Sequence, residues 1–590
     1  MPVLDVNSLF TRAEGAFAAG QLDQARADLV DVQRLAGDHP AVLHLLALVE
    51  KKRGDTAAAR DAFERALRLA PGDAQINNNY ANLLNALGER DAALHHFGKA
   101  LAVEPKYADA RYNRALLLEG LGRLEEAISE LDELAVRPPV SAKLHSARAN
   151  MLRRLRRLDE AAEAYDAALR IEPKRLTALH GRARVAIERG EPSAPALYRR
   201  ALAAKPDDLA LQLGLAEALE AEGDTTALDN LAVAVSAAPE WADGQAALAR
   251  MRWEAGEGRA FTRDLEHALE KCPGSRGLWL AYVFALAAVD LCNEAADAAA
   301  IARKEIWEDP EFQLLEAIHA SEAGEIGRAE RLFADLPPDL TGRSLHEVRH
   351  RIRTGEFGRA LALTDAARVE SQWDVVAWAM SGLLWRIAGD DRAEWLHGQP
   401  GLVTTQDLDL SQAELSDIAD RLRNLHRTRA HPIGQSLRGG TQTRGRLFGR
   451  KEPEVRRLRD AAFEAVQRYW NALPPPDPSH PLLRHRDRSP RFDGSWSVRL
   501  TNGGFHVVHV HPNGLLSSAC YLAVPEAQRP REGWLEIGGA PAGLGLELEP
   551  QAQVEPVPGR LALFPSTLYH GTRPFAAGER LTAAFDVIAA

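Results

Sequence analysis

The sequence predicts a multidomain α + β chain: an α-α superhelix built from repeats, followed by a small β-barrel. Three observations predict it. A glycine recurs at Gly20, Gly54, Gly88 and Gly122, always 34 residues apart, and the rhythm continues through Arg156, Gly190, Gly223, Gly256, Asp290, Gly324, Gly355 and Gly389. From Ser495 onward the texture changes to short apolar runs separated by glycine and proline. Within those runs His509 and His511 stand two residues apart, with His570 and Arg580 downstream. The expected boundaries are 1–398 for about twelve repeats, 399–479 for a helix-and-loop connection that supports the barrel, and 480–590 for the barrel itself.

Bulk properties narrow the class. A chain of 590 residues is too long for one domain. Its net charge of −11 argues against a general nucleic-acid binder, which carries a basic excess. The three cysteines, Cys272, Cys292 and Cys520, are too scattered for a disulfide framework. The N-terminal stretch lacks the basic start and apolar core of a secretory signal. The most apolar helix, near Gly277–Val289, is shorter than the roughly 20 residues a membrane span needs. A cytoplasmic protein without a membrane anchor is expected.

Inside the period the offsets agree. Gly54 is followed by Ala59, Phe63, Ala66 and Pro71, and Gly88 by Ala93, Phe97, Ala100 and Pro105. Arg156 is followed by Ala161, Tyr165, Ala168 and Pro173. Small residues let two antiparallel helices approach, an aromatic fills the groove between them, and proline ends the second helix. This pattern resembles the tetratricopeptide repeat. Stacked repeats create an extended groove, so a protein or peptide partner is expected on the concave face. Asn77, Asn78, Asn79 and Tyr80 are candidates for holding a peptide backbone, and a solvated polar face is an equal reading. Such an array can also form a homodimer through its terminal copies.

The repeat pattern stops near Leu396–Pro400, after which Ser411 is placed to cap a helix reaching Leu425. The stretch around Arg438, Arg444, Arg446 and Arg450 is rich in glycine and reads as a loop, its arginines either solvated or facing an acidic substrate. Glu454–Leu473 carries a helical apolar stripe that Pro474, Pro475 and Pro476 terminate.

The barrel strands are expected at SWSVRL, FHVVHVH, LLSSACYLAV, GWLEIG, GRLALF, TLYHGT and RLTAAFDVI. Alternate residues of a strand share a face, so His509 and His511 point one way and His506 the other. Two imidazoles on one face can chelate one metal.

The frame Gly503-x5-His509-x-His511, then Gly559-x5-Pro565-x4-His570, resembles the double-stranded β-helix (jelly-roll) of cupins and Fe(II)/2-oxoglutarate oxygenases. The glutamate that cupins carry soon after His-x-His is absent from Asn513–Ser517. Arg580-Leu581-Thr582 matches the oxygenase pattern of a basic residue about ten positions after the distal histidine. The stretch is similar to aspartyl/asparaginyl β-hydroxylases, and to a bacterial group with His-x-His-Pro joined to such repeats. The resemblance implies Fe(II) held by His509 and His570. His511 is either a third ligand, or its place is taken by water or a carboxylate from elsewhere. It implies 2-oxoglutarate as co-substrate, its far carboxylate fixed by Arg580 with Thr582, Ser517 or Tyr521, and hydroxylation of a protein or peptide captured by the repeats. Arg499 and Asn502 are further candidates for substrate contact. The alternatives are an interaction scaffold with an inactive or structural metal barrel, and a cupin-type metalloenzyme that does not use 2-oxoglutarate.

Overall fold

A computed structural model describes residues 5–135, 141–307, 309–526 and 529–589. The chain divides into two compact units, Met1–Val185 and Ala186–Ala590. The first is a run of antiparallel helix pairs, such as Thr56–Leu69 following Pro40–Arg53 and Arg90–Val103 following Ala74–Ala86. Ala59, Phe63 and Ala66, and their equivalents Ala93, Phe97 and Ala100, are fully buried, as close helix packing requires. All twelve positions of the glycine series have positive φ, including Arg156 at 65° and Asp290 at 64°. The repeat therefore keeps its left-handed turn at the two sites where glycine is lost, and the strain is held there by the packed helices on either side.

Helix pairs continue in the second unit as far as Val375–Ala388. Pro195, where the repeat usually has alanine, sits in the first turn of the helix Ala194–Ala204, where no amide donor is needed. Among the described residues no helix is long and apolar enough to cross a membrane.

The barrel is one antiparallel sheet: β1 (Thr404–Asp407), β2 (Leu437–Gln442), β3 (Pro490–His509), β4 (Leu516–Ala523), β5 (Leu535–Ile537), β6 (Ala552–Val554), β7 (Arg560–Pro565), β8 (His570–Thr572) and β9 (Glu579–Ala589). The strand order is β1-β7-β4-β9-β3-β8-β5-β6, with β2 added beside β3. The two strands expected at SWSVRL and FHVVHVH are one bent strand, β3, which turns at Asn502 and Gly503, both of positive φ. The stretch expected as a loop contains β2. Its glycines hide the alternation, yet Gly440 lies so close to β3 that a Cβ there would sit 2.4 Å from the Arg499 carbonyl oxygen.

Alternation along β9 divides the barrel. Leu581, Ala583, Phe585 and Val587 pack outward against the helices Gln412–Arg423 and Pro453–Ala472, through Ile418, Leu422, Leu458 and Tyr469. Arg580, Thr582, Ala584 and Asp586 face the interior. The first of these helices begins with the expected Ser411 cap, completed by Glu414 into a capping box.

The arginines of the glycine-rich segment fasten it to the repeats and to its own neighbourhood. Arg438 pairs with Asp290, Arg444 with Glu220 and Glu254, Arg446 with Asp493 and Arg450 with Glu452. Backbone bonds follow the same row of turns: Lys451 and Arg429 donate to the carbonyls of Arg189 and Glu254, and Gly434 to that of Ala288.

Candidate functional site

β3 and β8 bring the histidines together. In their pairing His509 stands opposite His570 and His506 opposite Thr572, so three steps on β3 match two on β8. The extra residue is a β-bulge. It turns His506 onto the same side as His509, where the plain alternation of the sequence puts it on the opposite face. All four histidines, with His511 just past the strand end, line one cavity of about 630 Å³.

The proton positions on two of these rings follow from their partners. His509 Nδ1 lies 2.8 Å from the Val507 carbonyl oxygen and His570 Nδ1 lies 3.1 Å from that of Leu568. A carbonyl only accepts, so each Nδ1 carries the hydrogen and each Nε2 keeps a free lone pair. His511 Nδ1 faces the Asp586 carboxylate at 2.5 Å, so its Nε2 is the nitrogen turned to the other histidines. Burial holds His509 at a pKa of about 3 and pushes His570 well below the usual histidine range, so both are neutral, the form that binds metal.

One ligand nitrogen from each of His509, His511 and His570 lies within 4.8 Å of the other two, and the Nε2 atoms of His509 and His511 are 3.1 Å apart. Two nitrogens each about 2.1 Å from one ion and at right angles around it would lie about 3 Å apart. The observed spacing of these two nitrogens matches that of two ligands of one ion. The donor set fits one metal ion.

Arg580 is 2% exposed, and among the described residues no carboxylate lies within ion-pair distance of it. Its guanidinium lies 5.0 Å from the centre of the Tyr521 ring, and both Arg580 Nε and the Tyr521 hydroxyl are buried without a hydrogen-bond partner. Burial pushes the pKa of Arg580 down and that of Tyr521 up. A buried cation beside a phenol, with no carboxylate to neutralise it, is a socket for an anion. Thr582 lines the same cavity two residues along β9. Neither Ser517 nor Tyr521 is part of its lining: the Ser517 hydroxyl pairs with that of Ser566 at 3.0 Å, and Tyr521 lies behind Arg580. Arg499 is bonded to Glu579, and the Asn502 side chain accepts from the Gly578 amide, so both serve the barrel rim. In the repeats, Asn77 is fully buried and its amide donates to the carbonyls of Pro71 and Asp73, while Asn78 and Asn79 bond to Asn113 and His44 of adjacent repeats.

Sequence reading missed three residues at the site. Ser436, from the segment before β2, places its hydroxyl 3.0 Å from His506 Nδ1 and 3.1 Å from His509 Nε2. Trp496 sets its ring centre 5.3 Å from that of His511. Asp586 bonds to His511. The only sequence signal for Asp586 is its even-numbered place on β9, in phase with Arg580 and Thr582.

Residues 494–586 match the family model described as "Putative 2OG-Fe(II) oxygenase". Tetratricopeptide-repeat models match residues 8–104, 79–142 and 142–175. No curated protein matches the chain. Among solved structures, a tetratricopeptide repeat protein from Parabacteroides merdae is 20% identical, with 41% of this chain and 97% of that chain covered and a TM-score of 0.33. Yeast Tom70 is 13% identical, with 61% of this chain and 91% of that chain covered and a TM-score of 0.32. The Cut9 structure from the APC/C hetero-tetramer Cut9-Hcn1 is 16% identical, with 66% and 85% covered and a TM-score of 0.32. The chain thus carries tetratricopeptide repeats in its N-terminal part and, over residues 494–586, a domain of that oxygenase family.

Proposed function

We propose that the chain is an Fe(II)- and 2-oxoglutarate-dependent oxygenase that hydroxylates a side chain of a protein or peptide held by its repeats. The observation that carries this reading is the convergence of three histidine side chains in a cavity that also holds a buried guanidinium without a counter-charge among the described residues. When bound, iron with 2-oxoglutarate would let dioxygen convert a C–H bond to an alcohol, one oxygen atom going to the substrate and the other to 2-oxoglutarate, which leaves as succinate and carbon dioxide. The chain's own part is to hold and to exclude. His509, His511 and His570 would hold the metal through Nε2, each Nδ1 being engaged elsewhere. Arg580 would orient the far carboxylate of 2-oxoglutarate, with Thr582 beside it in the cavity wall and the Tyr521 ring supporting the guanidinium. Trp496, Val498 and Leu535 in the cavity wall keep bulk water from the reacting centre.

A macromolecular substrate is supported by the cavity wall, which includes Ala287, Ala288 and Asp290 of a repeat turn beside the barrel residues. The division at 1–398, 399–479 and 480–590 is part of the same proposal, with the middle segment contributing β1 and β2 to the sheet.

The test is anaerobic titration of the Fe(II)-loaded protein with 2-oxoglutarate, read by the visible metal-to-ligand charge-transfer band. A saturable band is expected, abolished in His570→Ala and weakened in Arg580→Ala. Absence of the band with iron verifiably bound would overturn the reading. One observation favours a second one: among the described residues no carboxylate joins the histidine set, as a scaffold with a non-catalytic metal barrel would allow. That scaffold would keep partner binding in His509→Ala and consume no 2-oxoglutarate. A cupin-type enzyme would need metal but be indifferent to Arg580.

A further inference from the structure

Three imidazole ligands bring no charge to a divalent ion, whereas the usual facial set of two histidines and a carboxylate brings one negative charge. The histidines here are not alike. His509 and His570 each donate Nδ1–H to the carbonyl two residues earlier on their own chain segment, a neutral acceptor. His511 instead turns Nδ1 to the carboxylate of Asp586, 75 residues away in sequence, at 2.5 Å. Both side chains are only 14% exposed, so solvent screens the contact weakly. Among the described residues Asp586 makes no other side-chain hydrogen bond or ion pair. A glycine adjoins it: a Cβ on Gly514 would sit 3.3 Å from the Asp586 Cβ, tighter than an ordinary contact. β9 aims Asp586 inward, in phase with Arg580 and Thr582.

We propose that Asp586 is the positioning residue of the metal centre, its carboxylate supplying through the His511 ring the negative charge that a carboxylate ligand supplies in the usual facial set. The hydrogen bond fixes the ring so that Nε2 faces the other two histidines, and it makes that nitrogen a stronger donor. The charge has moved one residue outward, and the ion keeps an all-nitrogen protein shell. This inference takes from the oxygenase reading only that the three histidines hold a divalent metal.

The experiment titrates the full-length protein with Co(II) alone, followed by visible absorption, in wild type, Asp586→Asn, His511→Ala and the double variant. Asparagine keeps the shape and a hydrogen-bond acceptor and removes only the charge. The expected result is 10- to 100-fold weaker Co(II) binding in Asp586→Asn, with a shifted Co(II) spectrum, and little further loss when the change is made on top of His511→Ala. Wild-type affinity in Asp586→Asn would overturn the proposal, and so would an undiminished loss in the His511→Ala background. Should Asp586→Asn fail to fold, the wild-type Co(II) protein still decides. Its paramagnetic proton spectrum is expected to show three exchangeable imidazole N–H signals, and two would exclude His511 from the metal. No 2-oxoglutarate enters these measurements. A missing charge-transfer band would sink the oxygenase reading and leave this one standing, and unchanged Co(II) binding would do the reverse.

Discussion

Burying a guanidinium without a counter-charge is unfavourable, and Arg580 is 2% exposed with its Nε unpartnered. Folding alone does not call for such a residue, so its retention is best explained by a ligand that completes it. Arg580→Met should therefore separate stability from function. Without ligand the variant should unfold no more easily than wild type, and by the behaviour of replaced buried charges should gain about 1 kcal/mol or more. Its 2-oxoglutarate affinity should fall by at least about 30-fold, the loss of a charge-assisted pair of roughly 2 kcal/mol. Urea unfolding and the charge-transfer titration read the two sides; a large loss of stability in the ligand-free variant would show that Arg580 is held for packing. His509, His511, His570 and Arg580 could be picked out in the sequence because their offsets are local to strands that carry them. Asp586 and Ser436 could not, since each reaches its histidine across more than 70 residues through strand pairings that no periodicity records.

At the scale of elements, the visible strands were those whose apolar residues alternate. β2 was invisible because Gly439 and Gly440 occupy its centre, and the reason they do is the closeness of β3. A Cβ on Gly440 would meet the Arg499 carbonyl oxygen at 2.4 Å and the Leu500 Cα at 3.0 Å, both backbone atoms that cannot turn aside. Gly440→Val should push β2 off β3 and destabilise the barrel by about 3 kcal/mol or more. Because Ser436 lies just before β2, metal binding should weaken with it. Thermal unfolding of the variant beside Co(II) affinity checks this, and a variant with wild-type values in both would mean the two strands are free to separate. The β3 bulge escaped sequence reading for a related reason: one extra residue between His506 and His509 leaves composition and apolar pattern unchanged but reverses the face of His506. On the other side of the same strand, Val508 packs in one cluster with Tyr569 and the repeat residues Val348 and Ile352, so the strand bearing the metal-site histidines is braced from behind by the solenoid.

At the scale of the second unit, repeats and barrel are joined by buried polar contacts that also set how the protein answers to acid. His397 lies in the turn Glu394–Gly398 after the last repeat helix, and its Nε2 is 3.0 Å from the Thr567 hydroxyl of the barrel. Gly382 lies against its ring: a Cβ there would sit 2.6 Å from Cε1. Burial pushes the pKa of His397 down to about 3, and those of His346 and His426 to about 4. In the unfolded chain these groups titrate near 6.5. The unfolded state therefore binds more protons than the folded state between roughly pH 6.5 and pH 4, and stability must fall as pH falls through that window. Above about pH 7 both states are neutral at these sites and the stabilisation is complete. Urea midpoints of the metal-free protein should accordingly hold steady from pH 8 to 7 and then decline, ahead of the range where carboxylates protonate. His397→Gln keeps a polar side chain without a titratable group, so its decline between pH 6 and 4.5 should be shallower by about 1.4 kcal/mol per pH unit, the contribution of one proton. A wild-type midpoint flat from pH 8 to 5 would mean that these rings are reached by water. An unchanged slope in His397→Gln would mean that this junction opens before the rest of the unit unfolds.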